Sequence, residues 1–257
     1  MIVRKSPEEI EKIAAAGAIH ARAMELVSEM IRPGITTGQL DLAAEKFIRS
    51  QGAVPSFKGY RGFPGSICAS PNSLVVHGIP ADDMTLEEGD VISIDIGVTL
   101  DGWVADGACT FPVGRIDPET ARMMAATEAS LFDAVEQVRE GNRIGDISHA
   151  VQERVEAAGF SVIRTLVGHG VGREMHEDPQ IPNYGPAGKG PKLKEGMVLA
   201  IEPMVNEGGP GVHMASDGWS VFTDDGSQSA HFEFTVAVTG DGPRILTPWH
   251  ELVHARP

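Results

Sequence analysis

Cysteine is nearly absent from this chain of 257 residues: Cys68 and Cys109 are the only two. Two thiols cannot build a disulfide scaffold, and no clustered cysteines suggest a zinc-finger module. They fit a reducing cytosol, where each would be a small buried residue. No run of about 18 apolar residues occurs, so no membrane-spanning helix is expected, and the first residues lack the basic-then-apolar layout of a secretion signal. Basic residues are also scarce: 21 Lys and Arg stand against 36 Asp and Glu, a formal net charge of −15. That balance disfavours direct nucleic-acid binding or a polybasic contact with a membrane, both of which need clustered cations. Low-complexity tracts are missing too, and 42% of residues are hydrophobic, ample for a folded core. The expectation is a cytoplasmic globular protein whose folded structure starts almost at residue 1, with Ser6-Pro7-Glu8-Glu9 as a helix start.

What the chain does contain is an internal repeat. Leu86-Glu-Glu-Gly-Asp-Val-Ile-Ser-Ile-Asp95 aligns with Leu193-Lys-Glu-Gly-Met-Val-Leu-Ala-Ile-Glu202, and residue 202 lies 107 positions after residue 95. Arg32, Gly34, Gly38 and Gly52 match Arg139, Gly141, Gly145 and Gly159 at the same spacing. A repeat of this length, present twice, describes two related halves rather than a solenoid. The halves, about 1–112 and 118–257, have no flexible linker between them, so the expectation is one domain with a shared core. Each half reads as a long amphipathic helix (about 7–31 and 118–140), then a second helix (about 37–51 and 144–158) closed by Gly52 or Gly159. Strands at Val91–Ile96 and Val198–Ile201 come later. This order suggests an α+β fold, with helices on one face of an antiparallel sheet.

Both aligned segments end in an acid, Asp95 and Glu202, after apolar strand residues where an unpaired carboxylate is costly to bury. Asp101-Gly102 predicts a two-residue hairpin turn. It would place Asp95 opposite Ala108 and Asp106 opposite Gly97, leaving the two aspartates as diagonal neighbours on one face. Carboxylates so placed repel unless one is protonated or a cation lies between them. Asp224-Asp225-Gly226 reads as a second hairpin, flanked by Trp219–Thr223 and Ala230–Val236, with Glu233 on its return strand. Between these segments, His169 sits among Gly168, Gly170 and Gly172, which permit close backbone approach. Each residue alone has a plain structural explanation, as a turn acid or a core histidine. Together, four carboxylates and one imidazole balance two divalent ions, and an oxygen-rich set with one nitrogen favours Mn, Fe, Co or Zn.

Six stretches carry a family resemblance over nearly the whole chain: Asn72–Pro80, Ile94–Gly97, Asp101–Asp106, Gly168–His176, Ile201–Met204 and Phe232–Thr235. The chain resembles the short bacterial type I methionine aminopeptidases, of the pita-bread metallopeptidase family M24. The resemblance implies a pseudo-two-fold pita-bread fold and removal of initiator methionine from chains with a small second residue. By it, Asp95, Asp106, His169, Glu202 and Glu233 are the metal ligands, Asp106 and Glu233 bridging two divalent ions whose shared hydroxide attacks the scissile carbonyl. Glu202 would also move the proton, His77 would lie near the substrate amide nitrogen, and His176 would bond the carbonyl oxygen as it gains charge. Tyr60, Phe63, Cys68, Met175 and Trp219 are the expected methionine pocket. The expected partners are N-terminal Met peptides and nascent chains, with ribosome association and a monomeric state as further expectations.

Several positions depart from the family's usual pattern. Leu166 stands where an aromatic or Met is usual, Met175 and Phe63 where other aromatics are common, His231 where Gln is frequent, and Phe234 where His is. Gly97 and Gly107 replace Thr or Ser beside the aspartates. No ligand or catalytic histidine is lost, but such neighbours tune specificity and metal preference. The rivals are a prolidase or Xaa-Pro aminopeptidase, which usually carries a large N-terminal domain, and a non-catalytic pita-bread module that binds peptides, which typically lacks the ligands.

Overall fold

Ser6 opens the first helix as its sequence predicts. In the computed structural model, which describes residues 1–253, α1 spans Pro7–Met30. The Ser6 hydroxyl accepts from the Glu9 amide, and the Glu9 carboxylate accepts from the Ser6 amide at 2.9 Å. Satisfying such end amides is worth about 1 kcal/mol. Thr36 and Gln39 form the same box at the start of α2, Thr37–Ser50. α3 covers Pro118–Glu136, α4 covers Ile144–Ala157, and a short α5 covers Trp249–Val253. The expected second half runs to 257, so its last four residues lie outside the described residues. Gly52 and Gly159 follow α2 and α4 with φ of 76° and 87°, the left-handed conformation glycine adopts at least cost. One residue later, Ala53 donates to the Ile48 carbonyl and Phe160 to that of Val155, so both helices close alike.

The repeat is written into the hydrogen bonds as well. Gly34 donates to Leu86 and Leu86 to Ile35; Gly141 donates to Leu193 and Leu193 to Asn142. Isolated bridges join Thr36 to Thr85 and Arg143 to Lys192. Val54 faces Thr99 and Pro55 faces Val98 in one half, while Ser161 faces Asn206 and Val162 faces Val205 in the other. Each of these second-half pairs is a first-half pair moved by 107 positions.

Among the described residues every strand pairing is antiparallel. Val91–Leu100 and Trp103–Pro112 form the expected hairpin, with Leu100 facing Trp103, Asp95 facing Ala108 and Gly97 facing Asp106. Asp101 and Gly102 have φ of 50° and 75°, the two positive values a type I′ turn needs. In the second half the corresponding ladder is broken. Val198–Ile201 pairs with Phe234–Thr239, and Met204–Asn206 with Ser229–His231. Ile201 faces Phe234 and Met204 faces His231, so the register continues across a gap that holds Glu202-Pro203 on one side and Phe232-Glu233 on the other.

The second expected hairpin does not form. A turn occurs at Asp224-Asp225, yet Val221–Thr223 pairs with Val212–Met214 and Leu74–Val76, not with the segment that follows. The Asp225 carboxylate accepts from both Ser227 and Gly209 amides. That pins the turn to the neighbouring loop, and Glu233 lies in the gap between two strands rather than within a return strand. Ala108 and Glu233 exchange backbone hydrogen bonds of 2.9 and 3.4 Å, which stitch the two halves together. α1 packs on the first-half hairpin and α3 on the second-half strands. Trp249 of α5 stacks on Phe234 with centroids 4.8 Å apart and donates its indole N–H to the Glu233 carbonyl.

Candidate active site

The hairpin register delivers Asp95 and Asp106 to one side of the sheet, and the second-half gap delivers Glu202 and Glu233 to the same place. Asp95, Asp106 and Glu233 are buried. Thr235 clamps the Asp106 backbone: its hydroxyl accepts from the Asp106 amide at 3.0 Å and donates to the Asp106 carbonyl at 2.8 Å. Desolvation, then mutual repulsion, pushes the carboxyls of Asp95, Glu202 and Glu233 well above the ordinary range, and burial raises Asp106 to about 7. Among the described residues no Lys or Arg ion-pairs with any of the four.

His169 reaches the acids from the strand Val167–Gly170. A Cβ on Gly168 would lie 2.4 Å from the Ala200 carbonyl oxygen, and one on Gly170 2.2 Å from that of Asp178. Only glycines allow that strand to lie so close to its neighbours. The His169 Nδ1 sits 3.0 Å from the Gly170 carbonyl. A carbonyl only accepts, so Nδ1 carries the proton and Nε2 presents a lone pair. Nε2 stands 3.6 Å from Glu202 Oε1 and 4.0 Å from Asp106 Oδ2. Asp106, His169 and Glu233 each offer a donor atom within 4.8 Å of the others.

A cavity of about 290 Å³ opens onto this cluster. Its wall includes Tyr60, Phe63, Cys68 and Trp219, with His77 and His176 beside the acids. Phe63 and Trp219 meet edge to face at 5.1 Å, and His77 approaches Trp219 at 6.4 Å. The pairing of Leu74–Val76 with Val221–Thr223 brings these parts of the chain together. His77 holds φ of 59°, a left-handed conformation that costs a non-glycine residue about 1–3 kcal/mol. Tyr60 stacks on His176, and its hydroxyl lies 2.9 Å from His176 Nδ1. Burial, with neighbouring positive groups, lowers His176 to about 4, so the ring is neutral near pH 7.

The residues matching the description "Metallopeptidase family M24" are 11–240. A similar chain is "Methionine aminopeptidase 1" of Bacillus subtilis, 52% identical over 247 residues, 96% of this chain and 99% of that one. The solved structure of methionine aminopeptidase from Thermotoga maritima superimposes with a TM-score of 0.95 at 45% identity, covering 96% of this chain and 99% of that one. The chain belongs to the M24 metallopeptidases. Prolidase from Pyrococcus furiosus shares the M24 fold less closely, with a TM-score of 0.78 and 26% identity, covering 95% of this chain but 65% of its own length.

Of the residues expected to form the methionine pocket, Tyr60, Phe63, Cys68 and Trp219 line the cavity. Met175 does not line the cavity. It is buried, and its Cε lies 2.8 Å from where a Cβ on Gly97 would project. Met175 therefore fills the space that Gly97 leaves, and the two departures compensate each other. Gly107 is matched in the same way by His20, whose Cε1 lies 2.8 Å from a Cβ placed there. Phe57, Val76, Leu166 and Met204 line the cavity without having been expected as pocket residues, although Val76 directly precedes His77. His231 also lines it, buried, with burial lowering its pKa to about 3.

Proposed function

We propose that this chain removes the N-terminal methionine from peptides and nascent proteins with a small second residue, as one catalytic unit built from both halves. The observation that carries this is the convergence of Asp95, Asp106, His169, Glu202 and Glu233 at the end of a cavity walled by Phe63 and Trp219. The relatives' name supplies the methionine.

The five residues suit divalent metal ions. Asp95 Oδ1 and Glu233 Oε1 are buried without a hydrogen-bond partner, a costly state that a cation relieves. Four carboxylates balance two divalent ions, and Mn, Fe, Co or Zn accepts this mixture of oxygen and imidazole. When bound, the ions supply Lewis acidity towards the scissile carbonyl and lower the pKa of the attacking water. Glu202, facing the cavity, takes the proton released and returns it to the departing amine. With its Nδ1 accepting from the Tyr60 hydroxyl, His176 carries its proton on Nε2 and donates a hydrogen bond from it to the carbonyl oxygen as charge develops, keeping the proton. His77 orients the amide nitrogen of the bond to be cut. The thioether of methionine rests among Phe63, Cys68 and Trp219, where sulfur–aromatic contact is favourable. The enzyme is proposed to act as a cytoplasmic monomer on chains emerging from the ribosome.

The test is to strip the protein of metal, restore Mn, Co or Fe in turn, and offer Met-Ala- and Ala-Pro-starting peptides. Free methionine from the first and no cleavage of the second is the expected result. Cleavage of the Xaa-Pro peptide, with the Met-Ala peptide intact under every metal, would transfer the assignment to a prolidase-like activity.

A further inference from the structure

We infer that His231 is a sixth metal ligand, joining Glu202 and Glu233 around one of the two ions and giving the centre a second imidazole. The inference rests on the metal-centre reading above. His231 Nε2 stands 3.8 Å from Glu202 Oε2 and 3.8 Å from Glu233 Oε2. That is too long for a hydrogen bond. It suits donors around a shared cation, since atoms about 2.0–2.2 Å from one ion lie roughly 3–4 Å from each other. Glu202 thus turns one oxygen towards His169 and the other towards His231. Neither ring nitrogen of His231 has a hydrogen-bond partner, although the residue is buried. A histidine that merely packed in the core would have found one.

The pseudo-symmetry gives an independent reason. Gly97 faces Asp106 across the first ladder, Met204 faces His231 across the second, and Met204 follows Gly97 by 107 positions. His231 therefore occupies the second-half counterpart of Asp106. The same device holds both. The Asp106 amide donates to the Thr235 hydroxyl, which donates to the Asp106 carbonyl. The His231 amide donates to the Thr110 hydroxyl at 2.8 Å, which donates to the His231 carbonyl at 2.9 Å. The fold thus aims two side chains at the acids from equivalent, equally clamped positions. In the first half that side chain is a carboxylate; in the second it is an imidazole.

X-ray absorption at the cobalt edge, on protein loaded with two equivalents of Co(II), counts imidazoles per ion. With His169 and His231 both bound, the average is about one per ion, and His231→Gln lowers it to about one half. Calorimetry should then show one of the two binding steps weakened by more than the roughly 10–100-fold that loss of an outer-shell partner costs. A native average of one half, or a count and affinity unchanged by His231→Gln, overturns the proposal. The native count needs no variant, so a misfolded His231→Gln would not obscure the answer. Two bound ions with His169 as the only imidazole would leave the metal centre standing and remove His231 from it. A native protein that takes up no metal would sink both.

Discussion

His20 sits under the site with its ring fully buried and its Nε2 2.9 Å from the Gly107 carbonyl. Burial pulls its pKa from 6.5 down to about 4. The native state therefore binds fewer protons than the unfolded chain between those values. The stability linked to His20 is complete above pH 6.5 and is lost as pH falls through about 4. A shift of that size corresponds to roughly 3 kcal/mol. His20→Gln keeps a polar group near the Gly107 carbonyl but cannot titrate. Urea unfolding of the metal-free protein at steps between pH 7 and 4.5 should show a shallower loss of stability in His20→Gln than in the native chain. Equal slopes would mean that His20 does not carry this part of the acid sensitivity. At this scale the sequence was uneven. Asp95 and Glu202 stood out through the repeat and Asp106 through the hairpin, because turn chemistry and sequence repetition can be read without contacts. Glu233 was reached through a hairpin that does not form, and His169 only through its flanking glycines. That Gly107 and His20 share one space, or that Met175 fills the gap beside Gly97, depends on contacts between distant segments.

Among the elements, the segment presenting His176 is held from outside the site. Glu177 Oε1 accepts from the amides of Arg173 and Glu174, and its Oε2 pairs with the buried Lys5 ammonium at 2.6 Å. Lys5 is fixed in turn by its backbone, whose amide donates to the Gly196 carbonyl. Removing one partner of a buried ion pair leaves the other charge uncompensated, at a cost of about 3–5 kcal/mol. Lys5→Met should lower stability by an amount in that range and reduce kcat more than it raises KM, since the His176 loop loses its anchor while the cavity wall stays. Denaturant melts and steady-state kinetics on one preparation check both. A variant as stable and as active as the native chain would contradict this role. Helix spans and the first hairpin were legible beforehand because caps and an Asp-Gly turn declare themselves over a few residues. The second hairpin was misread for a physical reason. Asp224-Asp225-Gly226 does turn the chain, but its flanks pair with other segments: Val221–Thr223 with Val212–Met214 just before it and with the distant Leu74–Val76, and Ser229–His231 with Met204–Asn206.

At the scale of the whole molecule, the two halves meet where Ala108 and Glu233 exchange backbone bonds, and the acids gather beside that seam. Four of the 36 acidic residues are the proposed ligands. Most of the net charge of −15 therefore belongs to the surface and keeps polyanions away, while function depends on where a few carboxylates fall. Neither half alone holds the centre, since Asp95 and Asp106 come from one and His169, Glu202 and Glu233 from the other. Asp106 is one of the two proposed bridging ligands, so the most direct measurement follows bound metal and methionine release together as metal-free native protein and Asp106→Ala are titrated with Mn(II). The native chain should release no methionine from a Met-Ala peptide without metal and gain activity as two ions bind. Asp106→Ala should hold fewer ions and release almost none. Two tightly bound ions with full activity in Asp106→Ala, or methionine release by the native chain without any metal, would contradict the account.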